Sequence, residues 1–125
     1  MNLAHWRVLV VEDEVDSMEL VRGLLEHHSI RCIPASTAEE ALHVLETETP
    51  TLILIDLNLP GLDGWGLLRH IQLDARLDRT PCVAVTAYHT AEVANLAIEA
   101  GFDAYFAKPL EATSFVRELV GIVEE

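Results

Sequence analysis

Basic residues are scarce in this chain. Eight Lys and Arg stand against 21 Asp and Glu, a formal net charge of −13. Phosphate backbones and anionic lipid repel such a chain, so no direct nucleic-acid or membrane partner is expected. Cysteine is limited to Cys32 and Cys82, both within apolar runs. Two cysteines make no disulfide framework, and their spacing suits no zinc site. They read as small core residues in a reducing cytosol, with a disulfide as the lesser alternative. Every apolar run falls far short of the ~18 residues a membrane span needs. No basic segment followed by an apolar block opens the chain at Met1–Arg7, so a secretion signal is not expected and the localisation expected is cytoplasmic. Repeats, low-complexity tracts and Pro/Gly/Ser linkers are absent. With 125 residues, 50% of them apolar and 23% charged, the expectation is one globular domain over 1–125, folded from about 7 to 124, with no output domain.

What the chain does have is alternation. Five short apolar or β-branched runs stand out: Arg7 to Val11, Ile30 to Ala35, Thr51 to Ile55, Cys82 to Val85 and Ala104 to Ala107. Several are apolar at consecutive positions, as in strands buried on both faces of a parallel sheet. Between them lie stripes at helical spacing: Met18, Val21, Leu25; Ala38, Ala41, Leu42, Leu45; Leu67, Leu68, Ile71; Val93, Leu96, Ala97, Ala100; and Phe115, Leu119, Ile122, Val123. Either Ser36 with Glu39 or Thr37 with Glu40 can open the second helix as a capping box. Gly101 is a natural stop for the fourth. Five strand–helix units predict an α/β fold: a doubly wound, parallel, five-stranded sheet, (βα)5, with helices on both faces. The expected strand order is the flavodoxin-like 2-1-3-4-5, since a Rossmann order would want six strands.

The polar residues at the strand ends are the informative ones. The first run ends in Glu12-Asp13-Glu14, the third in Asp56, the fourth in Thr86 and the fifth in Lys108-Pro109. Ligands bind outside the carboxyl ends of strands in open parallel sheets. In the expected order these four strands are neighbours, so three acids, a hydroxyl and a cation should meet on one edge. Taken singly, each has a plainer explanation. An acid after a strand ordinarily caps a helix or sits in a solvated turn, and a Thr is an ordinary strand residue. Four such events at one end of four adjacent strands fit that explanation badly. Lys108 is also the only lysine among the eight cations. Its compact ammonium suits a place among clustered carboxylates.

Two carboxylates ~4 Å apart repel by up to ~4 kcal/mol at an effective dielectric near 20. A hard divalent cation relieves this, and Mg2+ with oxygen ligands fits best, Mn2+ being the substitute. Glu12, Asp13 and Asp56 are then balanced by Lys108 and the ion. A carboxylate in that setting can attack phosphorus and form an aspartyl phosphate. Thr86 can donate to a phosphoryl oxygen, a charge-assisted bond worth ~1.5–3 kcal/mol.

With these residues in view, the chain resembles the response-regulator receiver domains of two-component signalling, of the chemotaxis type. The resemblance runs from about Arg7 to about Glu124. It rests on Val-Val-Glu-Asp-Glu, Leu-Ile-Asp-Leu-Asn-Leu-Pro-Gly-Leu-Asp-Gly, Val-Thr-Ala and Ala-Tyr-Phe-Ala-Lys-Pro. It implies that Asp56 is the phosphoacceptor. It implies that Asp13, Asp56 and the backbone carbonyl of Asn58 hold the metal, with Glu12 reaching it through water. Glu12 stands where the family often has aspartate. Thr86 and Tyr105 become the switch pair, and Lys108 pairs with the phosphoryl group. Pro60, Gly61 and Gly64 shape the loop after the third strand, and the bond to Pro109 is expected to be cis. The implied partners are a histidine kinase or histidine phosphotransfer protein and a downstream target protein, the chain being a monomer or weak dimer.

The implied switch moves Thr86 toward the phosphoryl group, turns Tyr105 inward, and reshapes the face of the fourth helix, fifth strand and fifth helix. Shifting an equilibrium from 1:99 to 99:1 takes about 5.5 kcal/mol, so a partner is expected to finish what one Thr bond and one Lys contact begin. On its own residues, without the surrounding motif, Tyr105 reads first as a half-buried strand aromatic. Tyr88, two residues past Thr86, is expected at the mouth of the site, where it would slow self-dephosphorylation; an ordinary exposed loop aromatic is the other reading. His27 and His28 suit a helix end, and His43, His70 and His89 show no ligand-like spacing. Trp65 is expected to pack at the start of the third helix. Two other chemistries compete with the switch. A haloacid-dehalogenase-type phosphohydrolase would carry its nucleophile after the first strand and add a cap. A flavodoxin-like flavin carrier would carry a Ser/Thr/Gly-rich phosphate loop where Glu12-Asp13-Glu14 stands. A scaffold without phosphorylation is the third alternative.

Overall fold

The computed structural model describes residues 3–124. Met1, Asn2 and Glu125, within the expected domain bounds, lie outside the described residues. The elements alternate in chain order: β1 (Arg7–Val11), α1 (Val15–His27), β2 (Arg31–Ala35), α2 (Ala38–Leu45), β3 (Leu52–Asp56), α3 (Gly64–Gln72), β4 (Cys82–Thr86), α4 (Ala91–Ala100), β5 (Ala104–Ala107) and α5 (Phe115–Val123), with a short 3₁₀ turn at Ala75–Leu77 before β4. All strand pairs are parallel, and the order is β2-β1-β3-β4-β5. The expected fold class and strand order are those observed.

Strand parity divides the core in two. Leu9, Val11, Ile53, Ile55, Cys82 and Ala84 face α2, α3 and α4. Val8, Val10, Leu52, Leu54, Val83 and Val85 face α1 and α5. The central strands β3 and β4 are buried at every position, which is why their sequences read as unbroken apolar runs. The outer strands β2 and β5 are only half-covered, so their apolar content overstates their burial. Pro34 lies on the edge strand β2, where a missing N–H costs no ladder bond on the open side.

The helices are set by caps and by the buried stripe. Thr37, not Ser36, caps α2: its hydroxyl accepts from Glu40 N, and the Ser36 hydroxyl donates to the Glu40 carboxylate. Asp63 and Thr90 cap α3 and α4 in the same way. Gly101 ends α4 with a left-handed φ of 116°. The stripes of α1 and α3 are those expected, with Met18, Val21 and Leu25 and with Leu67, Leu68 and Ile71 buried.

Two stripes need correction. In α5 the buried residues are Phe115, Val116, Leu119 and Val120, while Ile122 and Val123 are half-buried near the chain end. Both still pack against the cluster that α5 helps to form. In α4 only Ala97 is buried; Val93 is half-buried, and Leu96, Ile98 and Ala100 face outward. Cys82 is buried, Cys32 is half-buried on the edge strand, and the two are free thiols. Burial pushes the Cys82 thiol up to about 12, which leaves it an inert core group.

Candidate functional site

The carboxyl edge of the sheet gathers Glu12, Asp13, Asp56, Thr86 and Lys108. Asp56 is the last residue of β3, in register with Val85, and Thr86 is the last of β4, in register with Ala107. Lys108 N donates to Thr86 O at 2.9 Å, so β5 delivers the lysine directly beside β4. Glu12 N donates to Ala35 O and extends the β1 ladder by one residue.

Lys108 is the hub. Its Nζ lies 2.5 Å from Glu12 Oε1, 3.1 Å from Asp56 Oδ2 and 3.4 Å from Ser17 Oγ, with Glu14 Oε1 at 4.0 Å. Glu12 is 4% exposed and Asp56 7%. Burying two acids is tolerable only because every oxygen has a partner. Glu12 Oε2 accepts from Glu14 N at 3.2 Å, and Asp56 Oδ1 accepts from Asn58 N at 2.9 Å. Burial, reinforced by the adjacent Asp56, overrides the Lys108 hydrogen bond and pushes the Glu12 carboxyl up to about 7. At Lys108, burial opposes the charge, but the Glu12 hydrogen bond and the two carboxylates outweigh it and raise its pKa.

Glu12, Asp13 and Asp56 each offer a carboxylate oxygen within 4.8 Å of the others, and Asp13 is the exposed member. Hard oxygens at that spacing suit a divalent ion such as Mg2+, which is commonly held by one or two carboxylates with water completing its shell. Net negative charge beyond what Lys108 neutralises fits the same ion. A cleft of about 270 Å3 opens above these groups, lined by Asp13, Glu14, Asp56, Asn58, Ala87, Tyr88 and Lys108. Tyr88 is at its mouth and 71% exposed.

The loop after β3 is held close. A Cβ on Gly64 would lie 2.5 Å from the Asp56 carbonyl oxygen and 2.8 Å from Leu57 Cα, so only glycine lets α3 start against the strand end. Gly61 has a φ of 71°, and Leu62 N reaches the Glu39 carboxylate of α2 at 3.4 Å. Pro60 precedes this turn at the exposed rim. The Lys108–Pro109 bond is cis, as expected.

Parity places the remaining groups on the opposite side. Thr86 shares a face with Ala84, and Ala84 is in register with Tyr105, so Thr86 and Tyr105 both face the α4 side. The Thr86 hydroxyl donates to Asn58 Oδ1 at 2.8 Å and accepts from Tyr88 N at 3.0 Å. Tyr105 OH is hydrogen-bonded to His89 Nδ1 at 2.9 Å. Burial raises the Tyr105 phenol, keeping it neutral.

Sequence reasoning missed three of these residues. Ser17 touches Lys108 from the first turn of α1. The Asn58 side chain, where only the carbonyl was expected to have a role, accepts from Thr86. His89 holds Tyr105. Single-sequence spacing carries no signal for a bond between a loop and a strand sixteen residues apart.

The model of the response regulator receiver domain matches residues 8–120. The chain belongs to this family. As a receiver domain it is 30% identical over 112 residues to the polar-differentiation response regulator DivK of Brucella ovis, covering 90% of this chain and 91% of DivK. It is 31% identical to the phosphate regulon transcriptional regulatory protein PhoB of Escherichia coli, covering 94% of this chain but 51% of PhoB, so it spans about half that relative's length. Among solved structures, the receiver domain of the sensor histidine kinase PA1611 from Pseudomonas aeruginosa superposes with a TM-score of 0.88 at 26% identity, over 96% of this chain and 98% of that one. That receiver is described with magnesium coordinated in its active-site cleft. Among the described residues of this receiver domain, no helix is long and apolar enough to cross a membrane.

Proposed function

We propose that this receiver domain is a phosphorylation switch in which Asp56 accepts a phosphoryl group from a phosphohistidine on a histidine kinase or phosphotransfer protein. One carboxylate oxygen of Asp56 forms the new P–O bond as the P–N bond to the donor imidazole breaks, and the imidazole leaves with the electron pair. The observation that supports this reading is the bridge from Lys108 to both Asp56 and Glu12, beside Asp13, at the floor of an open cleft.

Asp13, Asp56 and the Asn58 carbonyl are the ligands we assign to Mg2+, with Glu12 in contact through water. When bound, that ion supplies positive charge to the phosphoryl oxygens as they pass through the transition state. Lys108 supplies a second positive charge and orients Asp56. Thr86 donates to a phosphoryl oxygen once the group is in place. Thr86 and Tyr105 then act as the switch pair, altering the face built from α4, β5 and α5 for a downstream target. The apolar hollow of about 290 Å3 beside the cleft, lined by Leu20, Val21, Pro109 and Leu110 with Lys108 at its edge, offers the donor protein a place to rest. Residues 7–124 act as one such unit, in the cytoplasm, as monomer or weak dimer. Tyr88 slows hydrolysis of the acyl phosphate by screening the cleft mouth.

Acetyl phosphate with Mg2+ tests the reading. A single phosphoryl adduct, cleaved by hydroxylamine, should form on the parent chain and not on Asp56→Asn. A hydroxylamine-resistant adduct, or equal labelling of both proteins, refutes it. Repeated turnover of a small phosphate ester would point to a phosphohydrolase instead.

A further inference from the structure

We propose that His89 is a positioning residue that latches Tyr105 in its resting conformation and is released through Thr86; this rests on the switch reading given above. Tyr105 is only partly packed against the core, and its hydroxyl has one hydrogen-bond partner in the described structure, His89 Nδ1 at 2.9 Å. The two rings also lie 5.4 Å apart at a tilt of 43°, so the contact is both polar and apolar. His89 sits between β4 and α4, one residue after Tyr88.

Tyr88 connects the latch to the chemistry. Its backbone N–H is anchored on the Thr86 hydroxyl, and the single Thr86 proton is donated to Asn58. A hydroxyl has one proton to give. To donate it to a phosphoryl oxygen on Asp56, Thr86 must leave Asn58 and withdraw its oxygen from Tyr88 N. The loop then loses its anchor at the residue beside His89. Tyr105 lies on the same face as Thr86, two positions back along the register, next to the space that Thr86 vacates. The same displacement therefore loosens the latch and opens room for the ring.

This places His89 as a brake on activation. Removing it shifts the unphosphorylated protein toward the activated arrangement, so a phosphoryl mimic binds tighter. The probe is beryllofluoride with Mg2+, its binding followed by 19F resonance on the parent, His89→Ala, Tyr105→Phe and the double variant. His89→Ala should bind about two- to fivefold tighter than the parent, the range for one exposed hydrogen bond. In the Tyr105→Phe background, where the phenol oxygen is gone and only the ring contact remains, His89→Ala should gain clearly less than it does in the parent. With 3-fluorotyrosine in place, the Tyr105 signal of His89→Ala should move toward its beryllofluoride-bound position, Tyr88→Phe assigning it. Unchanged or weaker binding by His89→Ala, or an equal gain in both backgrounds, overturns the latch while leaving the switch intact. A parent chain that binds no beryllofluoride removes the switch reading and the latch together.

Discussion

The two sides of the cleft are built differently. On the side facing α1 and α5, Glu12 and Asp56 are buried and both are bonded to the half-buried Lys108, and the same face of the sheet is covered by two helices through Met18, Val21, Leu25, Phe115, Val116, Leu119 and Val120. On the side facing α4, Thr86 is buried but Tyr105 is held by one exposed hydrogen bond, and α4 seats only Ala97 fully. Leu96 and Ile98 are 47% and 53% exposed on that helix. The same sheet edge therefore pairs a closely bonded half, which holds the carboxylates and the lysine, with a shallowly packed half. Precise chemistry needs groups held within fractions of an ångström, whereas a switch needs a second arrangement close in energy.

Breaking the closely bonded half should have the largest effect. Lys108→Met leaves Glu12 and Asp56 without their shared counter-charge; phosphorylation by acetyl phosphate should slow by roughly a hundredfold or more, measured as adduct formed with time. Core truncation compares the two halves directly. Leu25→Ala in α1, on the buried face shared with α5, should destabilise by about 2–5 kcal/mol, while Leu96→Ala in α4 should stay within about 0.5 kcal/mol, both read from urea unfolding. A large loss at Leu96 would abolish the contrast.

The pH response sharpens it further. The Glu12 carboxyl titrates at about 7 in the folded chain against an ordinary 4.5. Between those values the folded protein keeps a proton that the unfolded chain releases. Its contribution is therefore fully present below about pH 4.5 and is lost as pH rises through about 7. In chelator, the stability of the parent relative to Glu12→Gln should fall over that interval, and Mg2+ affinity, which needs the ionised acid, should rise over it. Equal pH slopes for the two proteins would mean that Glu12 is not the group responsible. The smallest effect belongs to the cleft mouth. Tyr88→Ala should release phosphate a few-fold faster than the parent, roughly the scale of about 1 kcal/mol of lost shielding; equal rates would show that the ring screens nothing.

Much of this was legible in the sequence because the signals are local. Residues alternate across a strand and recur every three or four along a helix, so β1, β5, the stripes of α1 and α3, and the Gly101 end of α4 follow from neighbours in the chain. The cluster of Glu12, Asp13, Asp56, Thr86 and Lys108 followed from one further rule, that parallel strands share a carboxyl edge. The errors were also of one kind. The stripes of α4 and α5 mark apolar faces, but such a stripe records capacity for burial, and the amount realised depends on what the fold packs against it.

The sequence by itself determined the parallel sheet, its helices and the edge where acids and lysine meet, because periodicity, caps and chain connectivity need no knowledge of distant partners. Only the tertiary structure decided that Lys108 spans Glu12 and Asp56, that Thr86 rests on Asn58, and that His89 reaches Tyr105. Each of those is a contact between separate elements, set by strand register and by which face a side chain takes, and neither is written in the spacing of any one segment.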